Sequence, residues 1–463
     1  MRISRNWGKN PSLGKNNICR QDNRIVRIKH YNRGKMMKRK KYVQVGVGGR
    51  AGMFYNAIAT TFKDDSQLLA FCDINQKRMD YANRQLKELG AKPVRTYKHT
   101  EFDQMIRKEK PDCVIVTSID RTHHTYIKRA MELGCDVISE KPMTIDEDKC
   151  QEILDTIKNT GKKLRITFNY RYAPHNSVTR EQIMKGVIGE INSVHFEWLL
   201  NTRHGADYFR RWHRDKRNSG GLLVHKSTHH FDLVNFWLGT TPKTVFAMGD
   251  LMFYGKANAE KRGVTDFYYR ATGNEKAKND PFALDLTSRQ TLKEIYLDAE
   301  QEDGYLRDQS VFSDGISIED TIGVMVRYNN SAIMTYSLNA YLPWEGFRVN
   351  FNGTKGRMEL EVVEASYVNA GGDRNAEGAV VGNKLIVYPM FGKPYQVQIP
   401  EAKGGHGGGD QIMLDDIFTE GSKDPLERAA SHLDGAMSIL TGIAANKSMK
   451  TGMPVAVKEL VRF

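Results

Sequence analysis

The feature that most restricts what this chain can become is a turn made almost wholly of small residues. Gly46, Gly48, Gly49, Arg50, Ala51 and Gly52 sit between an apolar run, YVQVGV, and a segment with helical spacing, MFYNAIATTF. Small residues let the backbone approach a pyrophosphate closely, and the helix that follows points its unpaired N–H groups at the same place. A second apolar run, QLLAFC, ends at Asp73, 25 residues after Gly48, where a carboxylate can accept from both hydroxyls of a ribose. An acid there repels the 2′-phosphate of NADP, so NAD is the expected cofactor, and Arg78 is the one nearby residue that argues the other way.

From Tyr42 to about Phe168, short apolar runs (YVQVGV, QLLAFC, PVRTY, CVIVT, DVIS, LRITF) alternate with helix-period segments such as RMDYANRQLKEL and THHTYIKRAMEL. This is the pattern of βαβ units around a parallel sheet, and six strands predict a complete Rossmann dinucleotide-binding domain over residues 41–168. After residue 170 the runs lengthen and alternate (SVHFEWLL, TVFAMGDLMFY, IGVMVRY, AIMTYSL, FRVNFNG, GRMELEV, KLIVYPM, YQVQI). They predict an α+β domain over 169–463 built on a large, open, mostly antiparallel sheet. A polar, charged stretch between about Gly255 and Ser313 reads as an insertion with short helices, of the kind that shapes binding sites. An amphipathic helix, DGAMSILTGIAANKSM, and a strand, PVAVKEL, close the chain.

The formal charge of +14 would suggest a nucleic-acid partner if it were spread over the fold, but it is not. Residues 1–41 hold fourteen Lys or Arg against the single acid Asp22, so the folded body is nearly neutral and no nucleic acid is expected on it. The first 40 residues read as a basic disordered tail or, because Met36 and Met37 directly precede KRKKYVQVGVGG, as an over-extended start; a targeting tail or nucleic-acid arm is the other reading. Five cysteines, an odd number without CxxC spacing, argue against disulfide staples and a cysteine zinc site and for a reducing, cytoplasmic setting. No stretch approaches the roughly 20 apolar residues of a membrane span.

The fifth predicted strand ends in Glu140-Lys141-Pro142. With the glycine turn, Asp73, the helix-opening His123, FNYRYAP at 168–174, GGLLVHKSTHHFDLVNFWLG from 220 and GTKGRMEL at 353, the chain resembles the Gfo/Idh/MocA family, relatives of glucose-fructose oxidoreductase and inositol dehydrogenase. The resemblance implies an NAD-dependent oxidoreductase acting on a sugar, glycoside or cyclitol hydroxyl, with a homo-oligomer, dimer or tetramer, as the expected assembly. It also implies that Ser118, His123, Glu140 and Lys141 join the glycine turn, Asp73 and Arg78 around the cofactor.

Oxidising a secondary alcohol needs a base for the hydroxyl proton while hydride leaves carbon for the nicotinamide. Lys141, at the carboxyl end of a parallel strand, is the candidate, provided that burial and a neighbouring cation bring its pKa down from about 10.4 toward 7 to 8. The resemblance places His229 on the family's His and His225 where the family carries Asp, a departure that removes a carboxylate. Three roles are open for His225, Lys226, His229 and His230. His225 can replace the Asp as a relay or hydroxyl ligand; His225 and His229 can hold a metal, with His406 as a third ligand; or the histidines only pack, the favoured reading for His230.

Tyr170 and Arg171 are expected at the domain junction, where an aromatic face and a forked donor suit a polyhydroxylated ligand, and Lys226 is expected beside them. Trp212, His213 and Arg214 are further sugar-facing candidates, and Asp410 is expected to cap the helix DQIMLDDIF. No metal is assigned. The competing activity is a redox-neutral glycoside hydrolase or lyase that keeps NAD bound and uses transient oxidation to loosen a neighbouring bond.

Overall fold

The computed structural model describes residues 39–365, 382–401 and 408–463. Among the described residues, six of the seven strands of the first sheet come from the N-terminal domain: β1 (Lys40–Val45), β2 (Ser66–Asp73), β3 (Arg95–Lys98), β4 (Cys113–Val116), β5 (Asp136–Ser139) and β6 (Leu164–Ile166). All six run parallel, in the order 3-2-1-4-5-6. Residues of β4 are buried on both faces, which is why CVIV reads as a continuous apolar run rather than an alternating one. Cys72, Cys113, Cys135 and Cys150 are buried and unbridged.

Chain order reverses between β1 and β4. In an open α/β sheet the crevice outside the strand ends at that switch point is where a ligand binds. The flanking helices are fixed by local chemistry. Asn75 caps α2 (Gln76–Glu88 by its residue range) by accepting from the Arg78 N–H, and Asp146 caps the helix Glu147–Thr160 through the Lys149 N–H.

The second sheet has nine strands among the described residues: β7 (Ile191–Asn201), β8 (Pro242–Asp250), β9 (Thr321–Tyr328), β10 (Ile333–Leu342), β11 (Glu345–Gly353), β12 (Gly356–Ala365), β13 (Lys384–Pro389), β14 (Tyr395–Val397) and β16 (Val455–Ala456). Neighbours are antiparallel except β7 and β10, which pair in parallel. Alternation in β9 buries Ile322, Val324, Val326 and Tyr328 and leaves Met325 in solvent, so one face makes the core. The helices Thr228–Leu238 and His432–Thr451 pack against each other over that face.

Several local expectations change. The sequence PVAVKEL contributes only the two-residue β16 before a 3-10 turn. A short strand between β14 and β16, β15 (Ala430–Ser431), leaves the second domain and pairs antiparallel with β6, extending the first sheet. Asp410 lies within the first turn of the helix Gly409–Phe418, whose cap is Gly408, and it meets Arg50 and Asn169 instead of capping. Segment 251–320 carries only short helices, and its 293–303 part lies against α2 of the first domain. No helix among the described residues is long and apolar enough to cross a membrane.

Candidate active site

A cleft of about 650 Å³ opens where the β1 and β4 ends meet the second domain. Its floor is the glycine turn. Gly46 has φ +81°, and a side chain there would run into the backbone of Thr117 and Ser118. A Cβ on Gly48 would meet nothing within 4 Å, so this position leaves open space at the start of α1 (Gly52–Ala59). That opening, together with the helix N-terminus, fits the pyrophosphate of a dinucleotide. Ala51 is buried in the turn's own packing and does not line the cleft. Arg50 crosses the mouth, donating through Nε to Glu140 Oε1 at 2.8 Å.

At one end Asp73 closes β2. Its Oδ2 accepts the Val47 N–H at 2.5 Å and its Oδ1 the Asn75 N–H at 2.9 Å, which fixes the carboxylate at the cleft wall. Burial raises its pKa, and these N–H groups oppose the rise. Arg78 also lines the cleft, but its charge is already matched by Asp303, with Nη1 2.5 Å from Oδ2. Ser118 and His123 complete the middle of the wall. His123 spans the carbonyl oxygens of Pro142 (2.8 Å from Nδ1) and Ser118 (2.9 Å from Nε2), so its ring ties the end of β4 to the segment after β5.

At the other end stand Lys141, Asp120, His225, His229, Trp212 and His213. Lys141 Nζ donates to the His225 carbonyl oxygen at 3.2 Å. Burial lowers its pKa to about 8; the Asp120 and Glu140 carboxylates hold it up, while Lys226 and Arg50 push it further down. His225 Nδ1 lies 2.5 Å from Asp120 Oδ2. Burial pulls His225 well below its ordinary value, with Lys141 and Arg211 adding to the effect, so the imidazole is neutral. Burial raises Asp120, and the Lys141 cation opposes that rise. With His225 neutral, the short contact lets Asp120 Oδ2 accept the Nδ1 proton, which leaves Nε2 as an acceptor.

Asp120, four residues after β4, thus brings a carboxylate up to the side chain at position 225. Asp120 belongs to no motif in the sequence; its one signal is its position, because residues just beyond a strand end at the switch point face the ligand crevice.

The helix expected to present His225 and His229 one turn apart is broken at Lys226 and Ser227. His225 ends the short helix Leu222–His225, and His229 opens the next, Thr228–Leu238. Both still line the cleft, with His229 packed edge-on against Phe168 and tilted against Tyr170. Among the described residues no three His, Cys, Asp or Glu side chains are grouped to hold a metal ion, and His406 lies outside the described residues. His230 accepts or donates to Tyr336 Oη at 2.7 Å and stacks on Trp198 at 3.9 Å between ring centroids, deep in the core.

Three expected substrate contacts are turned elsewhere. Arg171 is buried in a fork onto Asp232 (2.8 and 2.6 Å), with Asp434 2.8 Å from Nη2. Tyr170 donates to Glu364 Oε1 at 2.7 Å. Lys226 is buried with its ammonium over the faces of Trp198 (4.5 Å) and Tyr170 (5.6 Å). None of the three lines the cleft. Trp212 and His213 do, stacked on each other with 3.6 Å between centroids, and His213 meets His225 edge-on at 4.1 Å. Arg214 instead binds Gln309, Ser310, Ser313 and Asp314 of the insertion.

Comparison with known proteins identifies relatives of the whole chain. YteT of Bacillus subtilis (strain 168), a protein assigned to the oxidoreductases, is 36% identical over 437 residues, 92% of this chain and 99% of YteT. The D-glucoside 3-dehydrogenase of Escherichia coli (strain K12) is 29% identical over 195 residues, 42% of this chain and 53% of that enzyme. The crystal structure of aldose-aldose oxidoreductase from Caulobacter crescentus complexed with glycerol superposes with a TM-score of 0.59 at 16% identity, covering 90% of this chain and 100% of that one, a likeness of fold. Family models described as the NAD-binding Rossmann fold and the C-terminal alpha/beta domain of an oxidoreductase family match residues 40–168 and 180–457. On these matches the chain belongs to the Gfo/Idh/MocA family of oxidoreductases.

Proposed function

We propose that this oxidoreductase uses NAD to oxidise a secondary hydroxyl of a sugar, glycoside or cyclitol, and the reverse, with Lys141 and His229 as acid/base groups and the His225–Asp120 pair in support. The observation that carries the reading is the trio Lys141, His225 and Asp120, gathered at the strand ends beside the glycine turn. Bound NAD supplies the hydride acceptor.

Lys141, with its pKa brought to about 8, is part neutral near pH 7 to 8 and can take the hydroxyl proton as the C–H bond is broken. Neutral His225, held in one tautomer by Asp120, offers Nε2 to the same hydroxyl or to a neighbouring one. His229 adds a second imidazole to the cleft lining and is assigned the proton exchange at the carbonyl oxygen that forms during oxidation. Trp212 gives an apolar plate of the kind on which sugar rings stack.

Asp73 and the matched charge of Arg78 favour NAD over NADP. Buried free cysteines fit a cytoplasmic setting. Exposed Met248, Met325 and Ile333 on the open face of the second sheet favour self-association there. The test is a screen of pyranosides and cyclitols with NAD, following NADH formation and the carbonyl product together. Wild type is expected to form both, and Lys141→Met neither.

A further inference from the structure

The cofactor cleft is lined not only by the Rossmann domain and the helices around His225 and His229 but also by the polar 255–313 stretch. Tyr296, Asp303 and Tyr305, all from the insertion, line it beside the glycine turn and Asp73. A Cβ on Gly49 would lie 3.1 Å from the Tyr296 hydroxyl. The insertion is fastened to α2 (Gln76–Glu88) at the Asp73 end by a dense polar seam. Arg78 Nε donates to the Ile295 carbonyl at 3.0 Å, Asn75 Nδ2 to the Ala299 carbonyl at 2.9 Å, and the Gln76 N–H to Glu302 Oε2 at 2.5 Å. Asp303 is the innermost group of that seam. Its side chain is 2% exposed, pairs with Arg78 Nη1 at 2.5 Å and accepts from Asn75 Nδ2 at 3.2 Å.

In a Rossmann site the residue after the second strand decides between a ribose hydroxyl, accepted by a carboxylate, and a 2′-phosphate, met by an arginine. This chain has both, Asp73 and Arg78, so neither alone settles the preference. We propose that Asp303, delivered from the insertion, is the specificity-determining residue: it occupies the Arg78 guanidinium and makes the adenosine end select a free 2′-hydroxyl over a 2′-phosphate. The inference rests on the reading of the cleft as a dinucleotide site.

The charge balance supports it. Asp73 and Asp303 are close enough for Asp303 to oppose ionisation of Asp73, and a phosphate carrying nearly two charges would enter beside both carboxylates with only Arg78, already paired, to answer it. Arg78 Nη2 has no hydrogen-bond partner among the described residues although the residue is 8% exposed, so one buried donor remains for an uncharged ribose oxygen. Removing the Asp303 charge frees Nη1 as well and turns Arg78 into the fork that grips phosphate.

The experiment is a fluorescence titration of NADH and NADPH against full-length wild type, Asp303→Asn, Asp303→Ser and, as a control in the same seam, Glu302→Gln. Wild type is expected to prefer NADH. Either Asp303 variant is expected to tighten NADPH by about tenfold while NADH changes by less than about threefold, and Glu302→Gln is expected to keep the wild-type ratio. Folded Asp303 variants with the wild-type ratio would overturn the proposal, as would loss of native circular dichroism in both, which would make Asp303 a folding residue. A wild type that binds neither nucleotide would instead overturn the reading of the cleft, and a wild type that prefers NADPH would overturn the NAD assignment.

Discussion

The imidazole of His225 and the carboxylate of Asp120 meet at 2.5 Å across the boundary between the two domains. One comes from a short helix of the second domain, the other from the 3-10 turn Asp120–Thr122 after β4. The pair links the base candidate Lys141, which donates to the His225 carbonyl, to a fixed negative charge. Lys141 and Asp120 of the first domain thus both meet His225 of the second, one at its backbone carbonyl and one at its imidazole.

Replacing Asp120 by Asn is expected to lower kcat by about 10²- to 10⁴-fold, because the amide removes the charge and can hold His225 in the wrong tautomer. The dissociation constant for NAD should stay within about twofold. Steady-state kinetics and nucleotide titration on the same preparation check both halves.

The pH dependence has a definite sign. A base must be unprotonated, so kcat/KM for alcohol oxidation should rise as pH passes through about 8, the value to which burial lowers Lys141. The reverse reaction needs the ammonium and should fall over the same range. Because Asp120 holds the Lys141 value up, Asp120→Asn should move the oxidation midpoint to lower pH. A midpoint that stays in place, or moves up, would separate the titrating group from Lys141.

Gly48→Val should yield a folded protein that has lost its cofactor. The added side chain enters open space at the glycine turn and meets no protein atom within 4 Å of its Cβ, so the fold tolerates it, while the pyrophosphate position is taken. NAD affinity should fall at least about 100-fold, with the thermal midpoint unchanged. Gly46→Val should differ by failing to fold, since its side chain meets the Thr117 and Ser118 backbone at positive φ.

Arg171→Ala is expected to cost about 3 to 5 kcal/mol of stability, because it leaves Asp232 buried without its cation. Denaturant midpoints read that loss. Protein that remains folded should keep its NAD affinity, since Arg171 does not line the cleft.

The parts of the site that were legible in the sequence are those whose partners are close along the chain. The glycine turn, Asp73 and Glu140-Lys141 each end a strand, and strand periodicity fixes where such residues stand. Arg171 and Tyr170 were legible as polar groups near the junction but not in their direction, because Asp232, Asp434 and Glu364, which hold them inside, are 61, 263 and 194 residues away. The direction of Lys226 is hidden for the same reason: the aromatic faces of Trp198 and Tyr170 that shelter its charge come from β7 and the turn after β6. The insertion could be recognised by its polarity, but its docking on α2 depends on pairs such as Arg78 with Asp303 that no local pattern encodes.

The central claim, net hydride transfer from a carbohydrate hydroxyl to NAD, is tested most directly by stoichiometry. Protein purified without added nucleotide is denatured to identify what it releases, and intact protein is mixed with NAD and a panel of sugars, cyclitols and aryl glycosides. The account predicts NADH and an oxidised, carbonyl-bearing product in equal amounts, absent in Lys141→Met. Cleavage of a glycosidic bond with NAD retained and no NADH accumulating would contradict it and assign the same cleft to a redox-neutral glycosidase.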